Sequence, residues 1–492
     1  MAYNGLDFRR RRASSFGGSL LAYAANSITP QLVADFKGGV YGKNSGLSTF
    51  GDVLNHARSS AATYVDSAGL LQTAASGVAR ENHHVYNGSA WVKEGYLHEP
   101  ETAIQLLLSS GTLSTQNVTV TAEPHTLQFT GTGTVTLSGT STDGPLVGTG
   151  TGENNRVNLT FTPSAGTLTL TVSGTVTNAQ FEAGSVPTSY MPTDAVSTFT
   201  RAADTLTLPV ANIPYPEPVV IGPELVTNGD FSNGTTGWFS ARANSTLSVV
   251  SGELQVQADS SGAFGAATTL SGLSIGENYQ VVYSCDPQTS PRVDIRVASN
   301  SAFTSGIVAA DTVSEEVIGK TLWFVATATV MYFGGIESGS ITYNYALSEV
   351  SAAQINPPAV SFGYKALVTG QNSGFVNWTA DANNGILMQS GTNDFTFTQE
   401  AGGTVDSLTG GSYTSGINVP VSIAMRNGLT FINGADDGTA LTANTTPTAF
   451  PDLSTTDLII APSGGPQVIQ EFIMWGGTTG DIGDAGIAET ST

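Results

Sequence analysis

Catalysis in this chain would have to be built from five histidines, one cysteine and a few adjacent carboxylates. The histidines are His56, His83, His84, His98 and His125, all before residue 126, so the last two thirds of the chain has no imidazole to serve as a base. None of their spacings matches a zinc site, and on a strand His83 and His84 face opposite sides. Cys285 follows Val281-Val-Tyr-Ser on an expected strand and reads as a buried thiol rather than a nucleophile. Glu315-Glu316 and Asp436-Asp437 imitate a glycosidase pair only in composition, since adjacent carboxylates usually point into solvent. There is no Gly-x-Ser-x-Gly elbow, phosphate loop or His-Glu-x-x-His helix. The residues therefore point to binding, not to an enzyme.

Binding by a β-protein needs aromatic faces beside amides and carboxylates. Strand patterning puts Trp238 and Trp323 in cores, and Trp475 packs at a strand end before Gly476-Gly477. Trp378 ends a strand with Asn377, Asp381 and Asn383 nearby, and is the expected glycan platform. Asn433-Gly-Ala-Asp-Asp-Gly438 reads as a hairpin tip, lacking the ligand spacing of an EF-hand loop.

The elements that must carry these residues are strands. From Thr126 to Pro192, runs such as Thr126-Leu-Gln-Phe-Thr130, Thr134-Val-Thr-Leu-Ser138, Arg156-Val-Asn-Leu-Thr-Phe161 and Thr167-Leu-Thr-Leu-Thr-Val172 alternate polar with apolar residues. That is the period of a half-buried strand, and it predicts a compact antiparallel sandwich with a Thr-rich exposed face. Ala62 to Ala74 and His83 to Val92 read as hairpins, Leu20–Ala25 and Pro30–Phe36 as short helical turns. The fold class is all-β: tandem antiparallel sandwiches of jelly-roll type after a short, partly helical or irregular N-terminal arm.

Composition agrees. Charged residues make up 11 % of the chain against a usual quarter, so hydroxyls and amides must form the surface. A net charge of −22 argues against nucleic-acid binding. Residues 1–50 nevertheless hold six Lys or Arg against two Asp or Glu, and the rest eleven against thirty-seven. This basic arm, with Arg9, Arg10, Arg11 and Arg12 at its centre, is expected to anchor the chain on an acidic partner. No apolar run is long enough to span a bilayer, and the Arg-rich start makes a poor signal peptide. One cysteine allows no internal disulfide, which suits assembly in a reducing cytoplasm.

Length and punctuation divide the chain. The expected parts are an anchoring arm over 1–50, a β module over 51–205, a Pro-rich linker over 206–223, a second unit over 224–355 and a third over 356–492.

Thr63-Tyr-Val-Asp-Ser-Ala-Gly-Leu-Leu-Gln-Thr-Ala74, His98-Glu-Pro100, Asn178-Ala-Gln-Phe-Glu-Ala-Gly184 and Thr188-Ser-Tyr-Met-Pro192 resemble a module of virion proteins of tailed bacteriophages and phage-like particles of alphaproteobacteria. The resemblance covers about residues 50–205. It implies a fibre, spike or head-decorating protein on the particle exterior, made in the host cytoplasm, with other virion proteins as partners, and a homotrimer. Glu224-Leu-Val-Thr-Asn-Gly-Asp-Phe-Ser232 with Gly237-Trp238, closed by Tyr343-Asn-Tyr-Ala-Leu-Ser-Glu-Val350, resembles the jelly roll of carbohydrate-binding modules. There a structural calcium joins opening and closing segments, and the resemblance puts Asp230 and Glu349 nearest it, with one acidic residue missing from the usual closing pair. Val421–Gly434, Asp457–Ile460 and Phe472–Trp475 resemble a concanavalin- or laminin-G-like sandwich. The implied function is a tail fibre or spike adhesin holding host-surface polysaccharide through its distal sandwiches. The alternatives are a head fibre or capsid-decorating protein and, from another class, a polysaccharide-degrading tailspike.

Overall fold

The computed structural model describes residues 20–44, 46–339, 341–392, 394–411, 419–447 and 450–492. Strand makes up about 52 % of the chain and helix about 5 %, and among the described residues every strand pairing is antiparallel except one isolated bridge. The chain divides into two compact units, residues 1–217 with 358–492, and residues 218–357. Among the described residues no helix is long and apolar enough to cross a membrane.

The first unit holds two sandwiches. In the larger, a ten-stranded sheet centred on Gln467–Trp475, Ala359–Val368 and Val419–Gly428 faces a seven-stranded sheet running from Thr404–Gly410 to Asn55–Ala57. Between them lies a core containing Tyr364, Phe375, Trp378, Met425 and Phe472. The C-terminal strands do not close this sandwich alone. Gln467–Trp475 pairs along one edge with Leu32–Asp35 (Asp35 opposite Glu471) and with Trp91–His98 (Leu97 opposite Val468). Thr205–Leu208 lies between Leu458–Ile460 and Asn55–Ala57 in the other sheet.

These pairings correct the expected boundaries. Leu32–Asp35, Val40–Lys43 and Gly46–Ser48 are strands of a sheet rather than part of an arm, and Thr205–Leu208 is a strand rather than linker. Residues 356–492 share one core with N-terminal segments instead of folding apart from them. Pro30–Phe36 is likewise a strand where helical turns were expected, with all four residues of Leu32–Asp35 buried. Covered on both faces, it shows none of the alternation that marks a half-buried strand. The boundary before Pro218 does fall within the Pro-rich stretch. Arg9 to Arg12 lie outside the described residues.

The smaller sandwich packs Gln116–Val120, Gly166–Ser173, Thr134–Gly139 and Leu146–Val147 against Val157–Phe161, His125–Gly131 and Val176–Ala183. Leu127, Phe129, Leu168, Leu170 and Phe181 fill it. Its strands fall where the alternation predicts, with one difference. In His125–Gly131 the polar positions are buried too: Thr126, Gln128 and Thr130 hydrogen-bond to Gly184 O, Thr188 O and Thr177 O. The expected Thr-rich exposed face is, on this strand, an internal one.

The second unit is a single sandwich. A six-stranded sheet includes Glu253–Ala258, Asn344–Asn356, Asn278–Asp286 and Val317–Val325. The other sheet runs in the order Trp238–Ser240, Gly262–Ser271, Val330–Gly339, Val293–Ala298, Ile307–Val313. Trp238, Phe264, Tyr283, Phe333 and Tyr345 pack between them. Cys285 is buried in this core, and burial, with Asp286 and Asp311 nearby, pushes its thiol up to about 12. A thiol that stays protonated at neutral pH is a small apolar side chain, as its position on a strand predicts.

Candidate functional site

The expected platform is not a surface. Trp378 is fully buried in the larger core of the first unit. Its indole N–H donates to Thr456 O at 3.0 Å, and Tyr215, Phe450 and Phe362 surround its ring at centroid distances of 5.9, 6.1 and 6.3 Å. Asn377 sits one residue earlier on the other face of the strand, half-buried. Asp381 and Asn383 form an exposed turn in which Asp381 accepts the Asn383 amide at 2.7 Å and the Asn384 side chain at 3.1 Å. A ring with no open face cannot stack on a sugar, so these four residues do not form the glycan site. Trp475 is also buried, donating to Ile28 O, and Trp238 is in its core. Trp323, expected in a core, is half-buried. Leu322 and Phe324 take the inward positions, and alternation leaves Trp323 on the outer face.

Asp230 and Glu349 do lie at a junction of opening and closing segments, where the Val350 amide donates to Gly229 O at 3.0 Å. Calcium takes six to eight oxygens. Here Asp230 Oδ1 accepts from the Ser232 amide and hydroxyl, and Asn228 Oδ1 accepts from the Asn233 amide. The residues present do not make up a calcium shell. Among the described residues, no group of three or more His, Cys, Asp or Glu side chains is placed to hold a metal ion.

The residues that carry the phage-like resemblance do come together, below the surface of the first unit. Asp204 takes Arg58 Nη1 at 3.0 Å, Arg80 Nη2 and the Glu99 amide. Glu99 takes Arg80 Nη1 at 2.7 Å and Arg201 Nε at 3.2 Å. All five side chains are buried, and the other guanidinium N–H groups reach carbonyls such as Thr63 O, Ala75 O and Glu101 O. Burial by itself would raise the Glu99 carboxyl, but Arg201 and Arg80 outweigh it and hold it at about 2. Glu99 also receives the Ser189 amide and hydroxyl, each at 2.7 Å. Beside it Glu182 accepts the Thr188 amide, the Thr188 hydroxyl and Gln180 Nε2 at 2.9, 2.6 and 2.7 Å, and Gln180 Oε1 accepts the Met191 amide. Thr188-Ser-Tyr-Met191 is thus pinned by carboxylates and an amide. These residues form a clamp for the irregular segment Thr188–Met191.

Glu182 yields a prediction. Burial, the largest influence, pushes its carboxyl up to about 7 despite these hydrogen bonds. A folded-state value above the ordinary 4.5 means that the protonated form is favoured, and ionisation costs stability progressively as pH rises from about 4.5 to 7. In Glu182→Gln the amide oxygen replaces Oε1 and the NH₂ donates to the Thr188 hydroxyl. Relative to the parent, urea denaturation should show this variant gaining on the order of 1–3 kcal/mol between pH 5 and pH 8. A relative loss over that range would contradict the assignment.

The second unit offers an open aromatic surface. In its five-stranded sheet Trp238 points inward, so Phe239 points out, more than a third exposed. Register then lines up Phe239, Ala267, Gly334, Arg296 and Ala310 across five strands on the outer face. Tyr332 stands edge-on to Phe239 at 6.3 Å and 87°. Arg296 pairs with Asp294 at 2.9 Å, and the exposed Arg292 reaches the same carboxylate at 3.2 Å. The floor is necessarily small, since a Cβ at Gly334 would meet Ala266 O at 2.0 Å. Part of it is covered by Phe303, buried against Ala267, Ala298 and Ile336, whose carbonyl accepts Arg296 Nη1 at 3.0 Å. Phe239 and Tyr332 were not among the expected binding aromatics, although each has a neighbour of clear core character (Trp238, Phe333). Alternation alone could have turned them outward.

No family model and no curated protein matches the sequence. Among solved structures, parts of the chain are similar to a chain described as "CBM4 structure and function", at 14 % identity and a TM-score of 0.21 over 26 % of this chain and 99 % of that one. They are also similar to the N-terminal CBM22-1-CBM22-2 tandem domain from Paenibacillus barcinonensis Xyn10C, at 13 % identity and 0.21 over 49 % and 82 %. The receptor binding domain of botulinum neurotoxin C/D mosaic serotype matches at 12 % identity and 0.22, with 27 % of this chain spanning 36 % of that one.

Proposed function

We propose that this chain is a non-catalytic structural protein of a bacteriophage or phage-like particle, displayed on the virion exterior, where it binds host-surface polysaccharide. The outer face of the five-stranded sheet in residues 218–357 is the binding surface. The observation that carries this reading is the partly exposed Phe239–Tyr332 pair on the same face as the Arg296–Asp294 fork. Sugar rings present C–H faces to aromatic rings and hydroxyls to such forks. The setting rests on the resemblance of residues 50–205 to phage virion modules. In it the chain is made in the host cytoplasm, the basic segment around Arg9–Arg12 docks on another virion protein, and three copies assemble.

Phe239→Ala and Tyr332→Ala should each weaken binding of the purified chain to host envelope polysaccharide by tenfold or more without changing Tm. Both residues are partly exposed and surrender little core. Unchanged binding in both would sink the surface assignment. Release of reducing sugar would instead assign the degrading activity. Labelling of intact particles with antibody against residues 357–489 separates the two structural roles: label at the tail tip fits an adhesin, label over the capsid a head fibre or decoration.

A further inference from the structure

The first unit contains a cleft of about 180 Å³ above the clamp formed by Glu99 and Glu182. Its walls include Tyr64 from the Ala62–Val65 strand, His83 from the His83–Tyr86 strand, Gln128 from the buried central strand of the smaller sandwich, and Tyr190. Sites for drug-sized ligands occupy about 300–1,000 Å³, so this one has room for a single small ring.

Its polar groups select the kind of ring. The Val65 amide donates to His83 Nδ1 at 3.2 Å, so that nitrogen carries no proton and Nε2 does. Burial, with Arg80 nearby, holds the imidazole down at about 3, so it is neutral at any physiological pH. Nε2–H has no protein partner among the described residues, nor has the Tyr64 hydroxyl. Gln128 spends Nε2 on Thr188 O at 2.7 Å, leaving Oε1 without a protein partner among the described residues. The cleft therefore offers a donor, an acceptor and a hydroxyl that can be either, beside aromatic and aliphatic walls.

Its charges are already spent. Arg156 is held by Glu153 through two bonds of 2.7 and 2.9 Å and by Asn178 O at 2.9 Å, with its guanidinium 5.6 Å above the Tyr190 ring. Glu99 is neutralised by Arg80 and Arg201. Among the described residues lining the cleft, an anionic ligand would find no free cation. An apolar one would strand three polar groups. Because Thr188 and Tyr190 belong to the clamped segment, the wall is preorganised and little ordering is needed on binding.

We infer that this cleft is a second carbohydrate site, distinct from the sheet face in residues 218–357, which takes one neutral pyranose unit, with Tyr64 as stacking face and His83 Nε2–H and Gln128 Oε1 as hydroxyl partners. It does not require the sheet-face reading to hold.

Saturation-transfer NMR on the full chain tests it, with methyl glucoside, galactoside, mannoside and N-acetylglucosaminide as neutral probes and glucuronate and N-acetylneuraminate as charged ones. At least one neutral glycoside should bind, at least tenfold more tightly than either acid. Tyr64→Ala should reduce that binding tenfold or more. Tyr64→Phe, which keeps the ring and the fold, should reduce it severalfold by removing the hydroxyl. Failure of every neutral probe, preference for an acid, or binding that survives Tyr64→Ala and falls with Phe239→Ala would overturn the inference. Loss in the Tyr64 variants with Phe239→Ala still competent would establish it even if the sheet-face assignment fails.

Discussion

Asp204→Ala should lower the unfolding free energy by about 3–5 kcal/mol, the usual consequence of removing one partner from a buried ion pair. Among the described residues Asp204 is the only partner carboxylate of Arg58 and one of two for Arg80, and both guanidinium groups are wholly shielded from water. Deleting it strands the Arg58 cation and the Glu99 amide together and leaves Arg80 with Glu99 alone. The network joins the chain around residues 58, 80, 99 and 201–204, so the damage should spread. Hydrogen exchange should show lost protection in Trp91–His98 and Thr205–Leu208, beyond the mutated turn. Retention of full stability would mean that the network contributes uniqueness of fold rather than free energy. The pH dependence carries the opposite sign to that of Glu182. Glu99, held at about 2, contributes stability that is fully present above about pH 4.5 and lost as pH falls from there towards 2. The two buried glutamates therefore act at opposite ends of the range. His83, held at about 3, and His98, held at about 4, must stay neutral in the fold and cost stability as pH falls below about 6.5. The first unit should therefore be most stable near pH 6.5.

Trp378→Ala should cost about 3–5 kcal/mol, the range for deleting a large aromatic from a packed core. The indole fills the space among Tyr215, Phe362 and Phe450, and no shift of an isolated side chain can fill the void. Trp378→Phe keeps much of the packing but leaves Thr456 O without its donor, a loss of about 1–3 kcal/mol. Urea denaturation of both variants measures this directly. Any fall in polysaccharide binding should track the unfolded fraction. A Trp378→Ala chain that kept its parent stability and lost binding would restore the surface role that alternation and nearby Asn377, Asp381 and Asn383 suggest.

The contrast between Trp378 and Phe239 shows what was legible. Both lie on strands beside polar residues. Strand periodicity separates one face from the other but does not say which face is covered. For Phe239 the neighbouring Trp238 settles the matter, since only one of two adjacent residues can face a one-sided core. For Trp378 the decision belongs to Tyr215 and Phe450, which are far off in sequence and come to it only in the folded unit. Gln128 and Thr126 mislead in the same way: polar residues at outward positions become internal once Thr188 and Gly184 lie over them.

Legible in the residues alone were the all-β class, most strands of the smaller sandwich, the hairpins at 62–74 and 83–92, the inert thiol and a break within the Pro-rich stretch. Each follows from local chemistry: period-two alternation, turn residues, β-branched side chains and the stiffness of a Pro-rich stretch. Only the tertiary structure decided that Leu32–Asp35, Trp91–His98 and Thr205–Leu208 complete sheets begun by residues 359–475. It alone decided that three arginines and two carboxylates scattered from 58 to 204 form one buried network, and that Tyr64, His83, Gln128 and Tyr190 line one cleft. Strand pairing is made by backbone groups common to all residues, so its partners leave little trace in side-chain pattern, and sites assembled from several such pairings leave less.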